Sequence, residues 1–266
     1  MSLSVHWVDA FTDTAFTGNP AAIVLCDHDP GDPWMQDLAR EFGISMTAFV
    51  RTDTRDAHGA YPMRWFTPAV EVDLCGHATL AAAHVAFTTG LADDAITFST
   101  RSGALTCRLR GERIALDLPA APAELIEPPP GLLDALGLGA ARTVAAAAKW
   151  LLVEVDDAAT VEALRPDIDA LASIGDGCVI VTAPGAGEVD IVSRVFVPGS
   201  GIPEDPVTGS AHCVLVPYWS ARLERSEFLA RQASARGGIL HCRDLGDRVE
   251  LAGRAVTVLG GEVTAP

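Results

Sequence analysis

Positive charge is scarce in this sequence: 19 lysines and arginines stand against 35 aspartates and glutamates, a formal net charge of −16 over 266 residues, and no stretch gathers the basic side chains into a stripe. A fixed negative field of that size repels phosphate backbones and anionic headgroups, which argues against nucleic acid and membrane surfaces as partners. No window approaches the roughly 18 to 20 continuous apolar residues that crossing a bilayer takes. The opening MSLSVHWVDAF has no basic run, apolar stretch and small-residue cleavage site in succession, so the expected location is the cytoplasm. The six cysteines, at positions 26, 75, 107, 178, 213 and 242, are scattered singly without a CxxC pair. There is no His-x-x-His, no clustered His/Asp/Glu set, no long phosphate loop and no GxSxG elbow. The expectation is a chain that needs neither metal nor cofactor, with mostly buried free thiols.

What is present is a chain that folds. Half of it is hydrophobic (49%) and its mean hydropathy is +0.25, enough to bury a core in one large or two small domains. Strand-like windows fall at residues 5–11, 21–26, 47–51, 61–66, 95–100, 104–109 and 113–118. Asp32-Pro33 opens an amphipathic helix in cap-then-proline order, and Gly43 ends it. From Gly76 through 77–87 nearly every side chain is small or apolar, the pattern of a helix buried on all sides. Further strands are expected at 149–155, 178–182 and 189–197, helices at 158–164 and 209–223, and hairpin-like strands over 238–263. The Pro- and Ala-rich stretch 119–130 is the one strong composition break and is taken as a linker. It would separate an N-terminal lobe, 1–118, possibly completed by 255–266, from a C-terminal lobe, 131–254.

One pattern occurs twice. Arg64-Trp65-Phe66-Thr67-Pro68 leads through a short acidic loop to Cys75-Gly76-His77-Ala78 and a buried helix. Arg194-Val195-Phe196-Val197-Pro198 leads through a longer one to Thr208-Gly209-Ser210-Ala211 and another. Such a repeat points to duplicated halves packed about a pseudo-twofold axis, with the two helix starts facing each other across a cleft. The first turn of a helix offers unpaired N–H groups and the positive end of the macrodipole, so the pair is suited to a small-molecule carboxylate. Gly76 and Gly209 let backbone approach the ligand where a side chain would block it.

The run Val8-Asp9-Ala10-Phe11-Thr12 with Gly18-Asn19-Pro20, then Arg40-Glu41-Phe42-Gly43-Ile44-Ser45, Phe66-Thr67-Pro68 with Glu71, and Cys75-Gly76-His77-Ala78-Thr79, resembles the PhzF-like family, named for a phenazine biosynthesis isomerase. Gly201 to His212 and Ser234-Ala235-Arg236-Gly237-Gly238 resemble its later hallmarks. The resemblance implies an α/β (α+β) fold of the diaminopimelate epimerase type, with two similar lobes, each a curved sheet around a central helix, and substrate between them. It also implies a homodimer and isomerase chemistry without a cofactor.

Family members carry a glutamate acid/base directly after the serine that here is Ser45; this chain has Met46, which exchanges no proton. Met46 is left as an apolar wall of the substrate pocket. In related epimerases the residues matching Cys75 and Thr208 are paired cysteines, and a threonine hydroxyl is a far weaker base than a thiolate. Cys75, next to a helix start that favours a thiolate, is thus the candidate base, with an inert buried thiol as the alternative. His77 would donate to substrate or shuttle a proton, or only cap its own loop. Asp205 would hold an ammonium or orient His77, or serve as an Asx cap. Asn19 is expected to reach the cleft from its turn. Gly76, Ala78, Gly209, Ser210 and Ala211 are expected to receive the carboxylate, with Thr208 and Met46 beside it. The leading expectation is a proton shift on a small amino acid or unsaturated cyclic carboxylic acid. The alternatives are a dehydratase or epimerase of a hydroxyproline-like substrate, and a silent carboxylate-binding relative.

Overall fold

A computed structural model describes residues 2–265. In chain order it holds strands β1 (Ser2–Ala10) and β2 (Asn19–Cys26), helix α1 (Asp32–Phe42), strands β3 (Thr47–Arg51), β4 (Tyr61–Phe66) and β5 (Glu71–Val72), and helix α2 (Gly76–Thr88). Strands β6 (Ala95–Thr100), β7 (Gly103–Arg110), β8 (Arg113–Pro119) and β9 (Glu124–Leu125) follow. Next come α3 (Leu132–Leu136), β10 (Thr143–Ala147), β11 (Trp150–Glu154), α4 (Ala158–Ala163), α5 (Ile168–Ala172), β12 (Val179–Pro184), β13 (Ile191–Val197) and β14 (Ile202–Glu204). The chain closes with α6 (Gly209–Leu223), β15 (Glu227–Gln232), β16 (Gly238–Asp244), β17 (Arg248–Gly253) and β18 (Ala255–Thr264). Two compact units result: the first runs to Asp117 and takes the chain back from Ala252, and the second spans Leu118–Leu251.

The two units use one wiring plan. In the first, β18 pairs antiparallel with β1, β1 antiparallel with β2, β2 parallel with β3, and β3 antiparallel with β4. Strand β4 then pairs antiparallel with β5 and parallel with β6, and β6 antiparallel with β7. In the second, β9, β10, β11, β12, β13, β14, β15 and β16 repeat that series with every direction preserved. The duplication seen in two short motifs therefore extends to the connectivity of whole units.

The repeated arginines explain why the motif recurs. Arg64 in β4 donates from Nε and Nη2 to the two carboxylate oxygens of Glu71 in β5, at 2.7 Å each. Arg194 in β13 makes the same two-pronged contact with Glu204 in β14, at 2.8 and 2.9 Å. Each guanidinium also lies over the phenylalanine two residues on, Phe66 or Phe196. A bidentate pair fixes direction as well as distance, so each short return strand enters its helix at a set angle.

Helix α2 packs against β1, β2, β3, β7 and β18, and residues 76–83, 85 and 86 are buried. Its alanines let strands approach on several sides, as an all-round apolar helix requires. Helix α6 is similarly sunk: Trp219 donates from Nε1 to Thr182 Oγ1 in β12 (3.0 Å), and Tyr218 O–H to Glu154 in β11 (2.6 Å). All six cysteines are free and buried, and among the described residues no helix is long and apolar enough to cross a membrane.

Several expectations need correction. Residues 119–130 are not a linker but belong to the second unit, where β9 pairs with β10 and Ile126 N–H donates to the Val144 carbonyl. The physical reason lies in Pro217, inside α6. Having no N–H, it leaves the carbonyl four residues back, that of Cys213, without a helical donor, and Ala121 N–H fills the gap at 2.9 Å. Asp32 does not cap α1 either; Gly31 holds the cap position at φ 82°, and the Asp32 carboxylate accepts from Arg64 Nη1 at 2.6 Å. Elements α3, α5, β10 and β15 and the short strands β5, β9 and β14 come in addition to those expected.

The clamps should carry stability that ordinary surface pairs do not. Arg194 and Glu204 are only 11% and 21% exposed at their side chains, against 61% and 70% for Arg40 and Asp37. Arg194→Ala is expected to cost about 2–3 kcal/mol in urea unfolding, and Arg40→Ala under about 1 kcal/mol. Equal losses would show that the clamp does not hold β14.

Candidate active site

Each unit presents one candidate half-site at the start of its buried helix. In the first, Gly18 at φ 67° turns the chain so that Asn19 enters the interior fully buried. Any Cβ at Gly18 would stand 2.3 Å from the Ala10 carbonyl oxygen, so no other residue makes this turn. Asn19 Nδ2 lies 3.2 Å from His77 Nδ1, and the Ser45 hydroxyl has both the Pro20 carbonyl (3.0 Å) and Asn19 Oδ1 (3.3 Å) as acceptors within reach. The ring nitrogen Nδ1 thus faces the Asn19 side-chain amide.

Cys75 occupies the N-cap position in extended backbone (φ −146°), and its side chain does not cap the helix. Its Sγ instead lies 3.4 Å from the same His77 Nδ1. The thiol therefore has a proton acceptor within reach. Burial pushes His77 down to about 4, against the opposing effect of a hydrogen bond to the Pro20 carbonyl, so the ring is neutral at physiological pH. Elsewhere burial pushes the Cys26 and Cys213 thiols up to about 12 and raises Cys107 and Cys242 as well, which leaves those four inert. Met46 is 8% exposed, and its carbonyl accepts from Ala22 N–H at 3.0 Å.

In the second half-site Thr208 stands where Cys75 stands in the first, again extended and again not capping its helix. Thr208 Oγ1 donates to Asp205 Oδ2 at 2.6 Å. Asp205 is thus the acceptor for the cap residue's hydroxyl. Gly209 and Ala211 are buried, and Ser210, the counterpart of His77, is partly exposed. Ser234 Oγ donates to the Pro206 carbonyl at 2.8 Å and accepts from Gly237 N–H at 3.1 Å, which ties the third motif to the acidic loop.

The half-sites also share a device for fixing the cap residue. Thr79 Oγ1 donates to the Cys75 carbonyl at 2.6 Å, and His212 Nδ1 donates to the Thr208 carbonyl at 2.8 Å, each from four residues ahead. Burial pushes His212 down to about 4, opposed by that hydrogen bond, and its Nε2 is buried without a partner.

In the first unit the structure brings together Asn19, Cys75 and His77, and in the second Asp205 and Thr208. Sequence reasoning gave no role to Ser45, Thr79, His212 or Gln232. Thr79 and His212 carried a signal in their spacing of four from the cap; Gln232 carried none beyond being polar in an apolar stretch. Among the described residues no group of three or more His, Cys, Asp or Glu is placed to hold a metal ion.

The chain belongs to the phenazine biosynthesis-like protein family, whose model matches residues 8–261. An uncharacterized isomerase of Pseudomonas aeruginosa is 47% identical over 264 residues and one of Halalkalibacterium halodurans 44% over 267, with 99% of each chain covered in both comparisons. The crystal structure of a PhzF family phenazine biosynthesis protein from Enterococcus faecalis matches with a TM-score of 0.93 at 39% identity, over 99% of this chain and 100% of that one.

The buried histidines give a pH dependence of definite sign. A free imidazole titrates at 6.5 and His212 folded at about 4, so between those values the unfolded chain holds the extra proton. The stability tied to this ring is fully present above pH 6.5 and drains away as pH falls toward 4, at up to ~1.4 kcal/mol per pH unit. His212→Asn should flatten the stability curve by about that slope in urea titrations from pH 7 to 4.5. An unchanged slope would mean the folded ring is already protonated.

Proposed function

We propose that this member of the phenazine biosynthesis-like family is a cofactor-independent isomerase of a small amino acid or unsaturated cyclic carboxylic acid, with Cys75 as base. What supports this above all is the contact between Cys75 Sγ and Nδ1 of His77 at a buried helix start. Cys75 gives its proton to Nδ1, and the thiolate takes the proton next to the substrate carboxylate. The charge left on carbon spreads into the carboxylate and any conjugated bond, and a proton returns at the conjugated position. His77, holding the proton taken from Cys75, is assigned the return step.

First-turn N–H groups are assigned to the carboxylate: those of Gly76 and Ala78 in one unit, and of Gly209, Ser210 and Ala211 in the other. They supply local attraction on a chain whose net charge of −16 would repel an acid at long range. Asn19 and Asp205 are assigned to orientation and proton handling, and Met46 to the apolar wall. A homodimer is the working assembly, which sedimentation would test.

Incubation in D2O with L-proline, trans-4-hydroxy-L-proline, L-glutamate and itaconate, followed by NMR, tests the chemistry. Deuterium at a carbon next to a carboxylate or at a conjugated carbon is expected for at least one acid. Cys75→Ser should slow that exchange about 10²–10⁴-fold, whereas Cys26→Ala, remote from both helix starts, should keep it. Loss of water from hydroxyproline would turn the assignment to a dehydratase. Binding of these acids without exchange would mark a silent relative.

A further inference from the structure

Gln232, the last residue of β15, is completely buried. Thr208 N–H donates to its Oε1 at 2.8 Å. A backbone N–H can only donate, so this contact fixes which way the amide points. The NH2 group therefore faces the Asp205 carbonyl at 2.6 Å and Thr208 Oγ1 at 3.2 Å. An amide NH2 can only donate in turn, so Oγ1 accepts there and must send its own hydrogen elsewhere. Asp205 Oδ2, at 2.6 Å, receives it. Of the two lone pairs on the hydroxyl, Gln232 takes one and the other stays available.

We propose that Gln232 is a positioning residue that turns Thr208 into a proton relay to Asp205; this rests on the isomerase assignment above. A lone threonine hydroxyl is a poor base because removing its proton leaves an alkoxide. Here the substrate's C–H or N–H bond breaks and its electron pair stays on the substrate. A new O–H bond forms at Oγ1 while the old one breaks, and the released proton joins Asp205 Oδ2. No alkoxide and no further reactant are involved, and the reverse sequence returns the proton. The threonine at the position equivalent to Cys75 thus conducts a proton that Asp205 stores, and Gln232 sets the direction of flow.

Gln232→Glu keeps the side chain's shape but replaces the donor with an acceptor that competes with Asp205 for the hydroxyl hydrogen. Neutron diffraction from wild-type crystals exchanged into D2O should show the Thr208 deuteron pointing at Asp205 Oδ2 and two deuterons on Gln232 Nε2. A Thr208 deuteron directed anywhere else overturns the relay, whatever the substrate. With whichever of the four acids exchanges in D2O, Gln232→Glu should lower kcat about tenfold or more and leave KM within about threefold. Thr208→Val should lose exchange, and Thr208→Ser should recover most of it. Equal losses in those two variants, or a Gln232→Glu effect on KM alone, would reduce Gln232 to a structural part. If no acid exchanges in the wild-type protein, the isomerase assignment falls, while the neutron map still decides the direction of the hydrogen.

Discussion

The paired guanidinium–carboxylate contacts, Arg64 with Glu71 and Arg194 with Glu204, anchor the short strands that lead into the two buried helices. Each ties the end of a long strand to a strand of two or three residues, too short to hold its own position by ladder hydrogen bonds. From that short strand the chain passes through one loop into the buried helix whose first turn is the half-site. The cation stacked on the next phenylalanine but one keeps the fork from swinging. A neutral pair of the same size would preserve the volume but lose the angular constraint, because only a two-pronged ionic contact specifies orientation as well as separation.

On that frame the two units treat their cap residues alike and their chemistry differently. The carbonyl of each cap residue is held from four positions ahead, by a threonine hydroxyl in one unit and an imidazole in the other. The cap side chains, relieved of capping, meet a proton acceptor instead: Cys75 an imidazole nitrogen, Thr208 a carboxylate. A buried carboxamide sits beside each pair, Asn19 in the first unit and Gln232 in the second. The difference between the halves is thus one of proton affinity within a shared geometry.

Much of this could be read from the residues. Strands β3, β4 and β6 and helix α6 lie where their patterns put them, since proline, glycine and charge mark their ends. Thr143–Ala147 escaped because Thr-Val-Ala-Ala-Ala has no strand alternation and alanine favours helix; only pairing on both sides, with β9 and β11, makes it a strand. Glu227–Gln232 escaped because one inward position is Gln232, a polar residue that ordinary patterning assigns to solvent. The proline-rich stretch 119–130 looked like a linker since its partner, the Cys213 carbonyl, is left open by a proline nearly a hundred residues away. The site divides the same way. Cys75 and His77, two positions apart, were each legible as candidates, whereas Asn19 and His77 lie 58 positions apart and Gln232 and Thr208 lie 24 apart, contacts that only the folded chain reveals.

The second unit is an insertion within the first, because β1 is flanked by β18, formed from residues 255–264. Synthesis proceeds from the amino end, so the second unit has every one of its strands before the first does. Strand β1, with Leu3, Val5 and Val8 among the core residues, must wait on the ribosome with one edge open until the final strand emerges. Helix α2, whose N-cap is Cys75, packs against β18 as well, so the thiol stays short of its finished surroundings until β18 has been translated.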